Sequence, residues 1–178
     1  MVGIGLFTAI VMVLQFLGGG IKFGVFSISL VLVPIVVGAA VYGWTSGGIL
    51  GFAFGAAVLL SGDAAAFLAV DPLATVGVVL VKGIACGITA GLIYKLFAKV
   101  NMTVGVFAAA IICPVVNTGV FIACMLLFFK NVLSVWAGGV DLIAYILSGL
   151  VLINFVPELI INIVFSPAGQ RILNAVKK

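Results

Sequence analysis

The chain has 178 residues, 66% of them hydrophobic and only 7% charged, whereas a soluble domain is about a quarter charged. A mean hydropathy of +1.54 leaves too little polar surface to face water, while lipid accepts an apolar exterior. With four acids, eight bases and no histidine, catalytic clusters of titratable groups are excluded in practice. The net charge of +4 reads first as loop topology rather than nucleic-acid binding.

Breaks at Gly, Pro and charge clusters predict an all-α integral membrane protein, a single transmembrane domain over 1–178 built as a compact bundle of six helices. Span one covers 2–17; it lacks a basic leading segment and is expected to stay as a helix rather than be cleaved. Glycines 18–20 and Lys22 end it. Span two covers 27–42, and a tight turn leads to span three, 47–61. The connection 62–74, with Asp63, Asp71 and Pro72, is long enough to suggest a function. Span four covers 75–97. A basic turn with Lys95 and Lys99 precedes span five, 102–129. After the connection 130–139, span six covers 140–165, closed by Pro167 and followed by Arg171, Lys177 and Lys178.

With both termini inside, Lys95, Lys99, Arg171, Lys177 and Lys178 are cytoplasmic, against Lys22 and Lys130 outside. This basic excess predicts N-in and C-in. Asp63, Asp71 and Asp141 then lie outside, with the two longer connections. No internal repeat supports an inverted-repeat carrier.

Glycines recur every fourth residue as Gly47, Gly51 and Gly55 and again as Gly83, Gly87 and Gly91, each set on one helix face. In lipid such faces let backbones approach closely, and internal packing is favoured over a partner interface. Gly5-x-x-x-Ala9 repeats the signal once on span one, where packing and a partner contact stand level. The cysteines Cys86, Cys113 and Cys124 have no metal-site spacing and read as packing residues.

Charges at membrane depth are functional hypotheses. Lys82 lies roughly 10 Å into span four at 1.5 Å per residue, and could meet a carboxylate or phosphate of a solute. The structural readings are a salt bridge to Asp71 or Asp141, or snorkelling outward. Glu158 shares a face with Asn154 and Asn162 at i, i+4 spacing, beside Pro157. Asn154 is placed to face solute; Glu158 and Asn162 are expected to fasten the inner helix ends. Asn117 follows Pro114 in mid-span five, where its amide serves either a neighbouring helix or a ligand. Gln15 and Trp136 are further candidates, Trp136 also fitting an interfacial anchor. No phosphate-binding G-x-x-x-x-G-K-[ST] motif occurs, so energy must come from elsewhere.

Three segments together carry a family resemblance. The stretch Gly5-Leu-Phe-Thr-Ala9-Ile-Val-Met-Val-Leu-Gln15-Phe-Leu-Gly18 and the stretch Leu32-Val-Pro34-Ile-Val-Val-Gly38-Ala-Ala-Val-Tyr42-Gly43 are two of them. The third is Gly47-Gly48-Ile-Leu-Gly51. The chain resembles the substrate-binding S components of energy-coupling factor (ECF) vitamin transporters of prokaryotic plasma membranes. The resemblance implies that Gly5 and Ala9 contact a transmembrane coupling (T) subunit. It also implies that a vitamin binds near the outer side, with Lys82, Asn117 and Asn154 leading and Gln15 and Trp136 behind. Delivery would follow by toppling, driven by two partner ATPases that carry the ATP and Mg; this chain needs no cofactor. Lys82 then favours an anionic vitamin, pantothenate ahead of a folate or phosphate-bearing one. The competing reading is an autonomous proton- or cation-coupled carrier using Glu158, and a third is an assembly protein without solute.

Overall fold

The computed structural model describes residues 2–18, 22–23, 26–27 and 30–176. Lys177 and Lys178 lie outside the described residues. In chain order the elements are α1 (Val2–Gly18), a two-residue antiparallel ladder of β1 (Lys22–Phe23) and β2 (Phe26–Ser27), α2 (Leu32–Tyr42), α3 (Trp44–Leu60), α4 (Ala65–Leu68), α5 (Pro72–Phe97), α6 (Met102–Phe128), α7 (Lys130–Trp136), α8 (Leu142–Ile146), a π-helical segment (Leu147–Phe155) and α9 (Val156–Val176). Among the described residues α5, α6 and the continuous run Leu142–Val176 are long and apolar enough to cross a membrane. The helices α1, α2 and α3 are apolar but shorter.

The core is the antiparallel pair α3 and α5. A Cβ on Gly51 would run into the Gly83 carbonyl and a Cβ on Gly83 into the Gly51 carbonyl, and Gly47 and Gly87 oppose each other in the same way. The two glycine ladders therefore pack against one another, as the internal-packing reading expects. The missing side chains let the two backbones touch, and the gain is dispersion along the seam. Around this seam α1, α2, α6 and α9 bury Val11, Leu32, Ile35, Leu50, Phe54, Cys86, Cys113 and Leu173.

Capping residues set the helix starts. Asp71 accepts from the Ala74 N–H at 3.0 Å with Pro72 in the first turn, and Asn101 accepts from the Thr103 N–H at 2.8 Å. Asp141 accepts from the N–H groups of Ile143 and Ala144 at 3.0 and 3.1 Å. Each side chain meets amides that have no partner inside the helix. Span four consequently begins at Pro72 rather than at residue 75. Span two begins at Leu32 rather than 27, because Ser27 pairs with Lys22 in the ladder.

Three prolines act differently. Pro114 is buried within α6, which continues unbroken across it. Ahead of Pro157 the helix widens: the Val156 N–H donates to the Val151 carbonyl five residues back. Proline lacks an N–H and its ring collides with the carbonyl four residues earlier, and a wider turn relieves that collision. Pro167 does not close span six. The helix runs on to Val176, since Ser166, Gly169 and Leu173 remain buried against the rest of the bundle.

The long connections also fold. Phe67 of α4 and Leu133 of α7 belong to a second apolar cluster with Val78, Met125, Phe129 and Ile146. Charge is uneven between the two ends, with Lys130 at the acidic one. Lys95 and Lys99 lie at the end where Thr103 receives a hydrogen bond from Gln170, next to Arg171. Asp63, Asp71 and Asp141 lie at the other, near the second cluster.

Candidate functional site

Lys82 stands on α5, one residue before Gly83 of the glycine seam. Its ammonium lies 4.7 Å from the ring centroid of Phe121 on α6 and 5.6 Å from that of Phe54 on α3. Both are within cation–π range, and Phe54 is fully buried. The side chain is therefore turned into the bundle and does not snorkel outward. Asp71 and Asp141, the sequence-level partners for a salt bridge, are exposed and engaged as helix caps.

Glu158 is fully buried on α9. The Asn117 Nδ2 donates to its Oε2 at 3.5 Å, joining α6 to α9. Asn117 lies 15 residues into α6, roughly 22 Å along a helix of about 40 Å at 1.5 Å per residue. Glu158 therefore sits at the middle of the bundle rather than among the inner helix ends that it is expected to fasten. The expectation fails because α9 extends beyond Pro167. Below it the Asn162 Nδ2 donates to the Glu158 carbonyl at 2.8 Å, and the Ser166 hydroxyl to the Asn162 carbonyl at 2.8 Å. The buried Oδ1 atoms of Asn117 and Asn162 have no hydrogen-bond partner, a condition polar groups in a bundle rarely sustain without a further donor.

Asn154 is half-buried in the π-helical segment, one turn before Glu158. Gln15 is buried on α1 and donates to Asp63 Oδ2, and at 3.4 Å to the Ser61 hydroxyl. It ties α1 to the far end of α3. Trp136 packs edge-on against Phe67, centroids 5.2 Å apart, and Phe67 also touches Phe121 and Phe129 at 5.8 and 5.5 Å. Thus Lys82 and Trp136 are linked through two shared rings, Phe121 and Phe67. Asn117 is tied to Glu158 by the hydrogen bond between α6 and α9.

Sequence reasoning passed over Phe54, Phe121 and Phe67, and named Asp63 only as part of a connection long enough to suggest a function. Phe121 falls one turn after Asn117 on α6, and that spacing is a signal for it. The contact between Asp63 and Gln15 leaves no such trace.

On α1, Gly5 and Ala9 are exposed, together with Val2, Leu6, Ile10, Val13, Phe16 and Leu17. A Cβ on Gly5 would meet nothing within 4 Å. The opposite face buries Val11, Gln15 and Gly18 and sets Phe7 against Tyr42.

Apolar helices, a glycine-seamed bundle and a sparse polar interior define a helical membrane protein. The family model for the ECF transporter substrate-specific component matches residues 1–168. The chain belongs to this family and is a substrate-specific transport subunit, of a kind that works with T and ATPase subunits. A search of curated proteins and one of solved structures returned no match.

Proposed function

We propose that this subunit captures a water-soluble vitamin bearing a carboxylate, pantothenate foremost, from outside a prokaryotic cell. Its six apolar helices cross the plasma membrane with both termini inside, and it hands the solute over by toppling against the T subunit. Two cytoplasmic ATPases drive the cycle with ATP and Mg.

The observation that carries the solute class is Lys82. Among residues whose side chains are described it is the one cation that is not exposed, and its ammonium rests on aromatic rings. A carboxylate entering beside it would gain a charge-assisted hydrogen bond. Asn117 and Asn154 supply amides for the remaining polar groups, and Trp136 and Gln15 stand toward the end with the acidic caps. The uneven charge between the two ends of the bundle supports the orientation. The exposed small-residue face at Gly5 and Ala9 supports the T-subunit contact, since close approach in lipid needs such residues.

The test is a mass spectrum of small molecules released from protein purified out of vitamin-replete cells. Stoichiometric release of an anionic vitamin is expected. A neutral or cationic solute would remove the role given to Lys82.

A further inference from the structure

Where the α2–α3 turn meets the end of α5, an open groove of about 540 Å³ is lined by Tyr42, Trp44, Lys95 and Lys99, over a floor of small residues that includes Ala40 and Ala98. The groove exists because the backbones pack tightly beneath it: a Cβ on Gly91 would meet the Trp44 Cα at 2.5 Å. Tyr42 and Trp44 are exposed, and their amphipathic rings suit the headgroup level of a bilayer.

The two lysines have no acidic side chain near them. The chain holds four acids. Asp63, Asp71 and Asp141 belong to the opposite end, and Asp71 is separated from Lys95 by 24 residues of one helix, or about 36 Å. The fourth, Glu158, is enclosed beside Asn117. Lys95 and Lys99, one turn apart and both exposed, therefore find their counter-charge outside the protein.

We propose that this groove is a binding site for one anionic phospholipid. The phosphate of its headgroup sits between the ammonium groups of Lys95 and Lys99, the Tyr42 and Trp44 rings flank the glycerol region, and an acyl chain runs over the small-residue floor. Basic pockets at helix ends hold acidic headgroups through this combination of charge and apolar contact. The site is independent of the vitamin and of Lys82.

The test is native mass spectrometry of the full chain taken from nanodiscs containing equal amounts of phosphatidylglycerol and phosphatidylcholine. One phosphatidylglycerol is expected to survive delipidation in preference to phosphatidylcholine. About fivefold per lysine, or about 30-fold in all, is the expected preference. K95Q/K99Q loses the preference, K95R/K99R keeps it, and K130Q at the other end leaves it intact. Equal retention of the two lipids by the unmodified chain would overturn the proposal without reference to any variant. So would unchanged retention in K95Q/K99Q accompanied by loss of assembly with the partner subunits, which would give the groove to a protein. Binding of inorganic phosphate alone, with no dependence on acyl chains, would overturn it as well.

Discussion

The Asn117 amide donates to the Glu158 carboxylate at 3.5 Å across the centre of the bundle, between two helices that the chain separates by 41 residues. This hydrogen bond joins α6 to α9 at a fully buried carboxyl group. Asn117, Glu158, Asn162 and Ser166 thus form one connected set of hydrogen bonds.

Removing one member of such a set leaves its partners stranded. Glu158→Leu takes the acceptor from the buried Asn117 amide. It is expected to destabilise the protein by about 3 kcal/mol, read as thermal unfolding in detergent. Glu158→Gln keeps a hydrogen-bonding group, and Asn117→Ala removes only an interhelical bond. Losses of about 1 kcal/mol are expected for each. Equal losses for Glu158→Leu and Glu158→Gln, both of which remove the carboxylate, would mean that the hydrogen bond with Asn117 is not what matters at this position.

Glycine substitutions separate packing from partner contact. Gly51→Leu forces a side chain against the Gly83 backbone, so α3 and α5 must part and no monodisperse, vitamin-binding protein is expected. Gly5→Leu enters open space, and both the thermal midpoint and vitamin affinity are expected to stay within error. Transport by the assembled complex is expected to fall about tenfold or more, because a bulky side chain on a small-residue face holds the two backbones apart and removes their dispersion attraction. Gly5→Leu impairing binding and transport alike would contradict the interface assignment. Ala9→Leu serves as the second variant on the same face.

These glycines show what was legible in the sequence and why. A repeat of four residues on two helices writes the α3–α5 seam directly into the order of residues, and the apolar runs mark the long helices, although α2 begins at Leu32 rather than 27 and α9 ends at Val176 rather than 165. Helix ends were harder, since the cap at Asp71 and the continuation past Pro167 depend on which amides and which faces a partner covers. The polar site was legible only by parts. Lys82, Asn117 and Glu158 stand out as polar groups in apolar runs. The Lys82 contact with Phe121 and the Asn117 bond to Glu158 follow from tertiary packing that no local spacing records, as with the Gln15 contact to Asp63 across 48 residues.

Lys82→Ala removes the ammonium proposed to hold the carboxylate. A charged hydrogen bond contributes about 1.5–3 kcal/mol, so the dissociation constant for the anionic vitamin is expected to rise roughly 10- to 100-fold by calorimetry, with folding retained. Lys82→Arg is expected to restore part of it. Unchanged affinity in Lys82→Ala would remove this residue from the site.

The central claim is that this chain captures solute but does not power its movement. Proteoliposomes containing the purified chain alone, given radiolabelled pantothenate under an imposed proton or sodium gradient, test it most directly. Saturable binding at one site per chain with no accumulation is predicted, and accumulation is predicted only when the T subunit, both ATPases and MgATP are added. Gradient-driven uptake by the chain alone would contradict the account and give Glu158 the role of a coupling site.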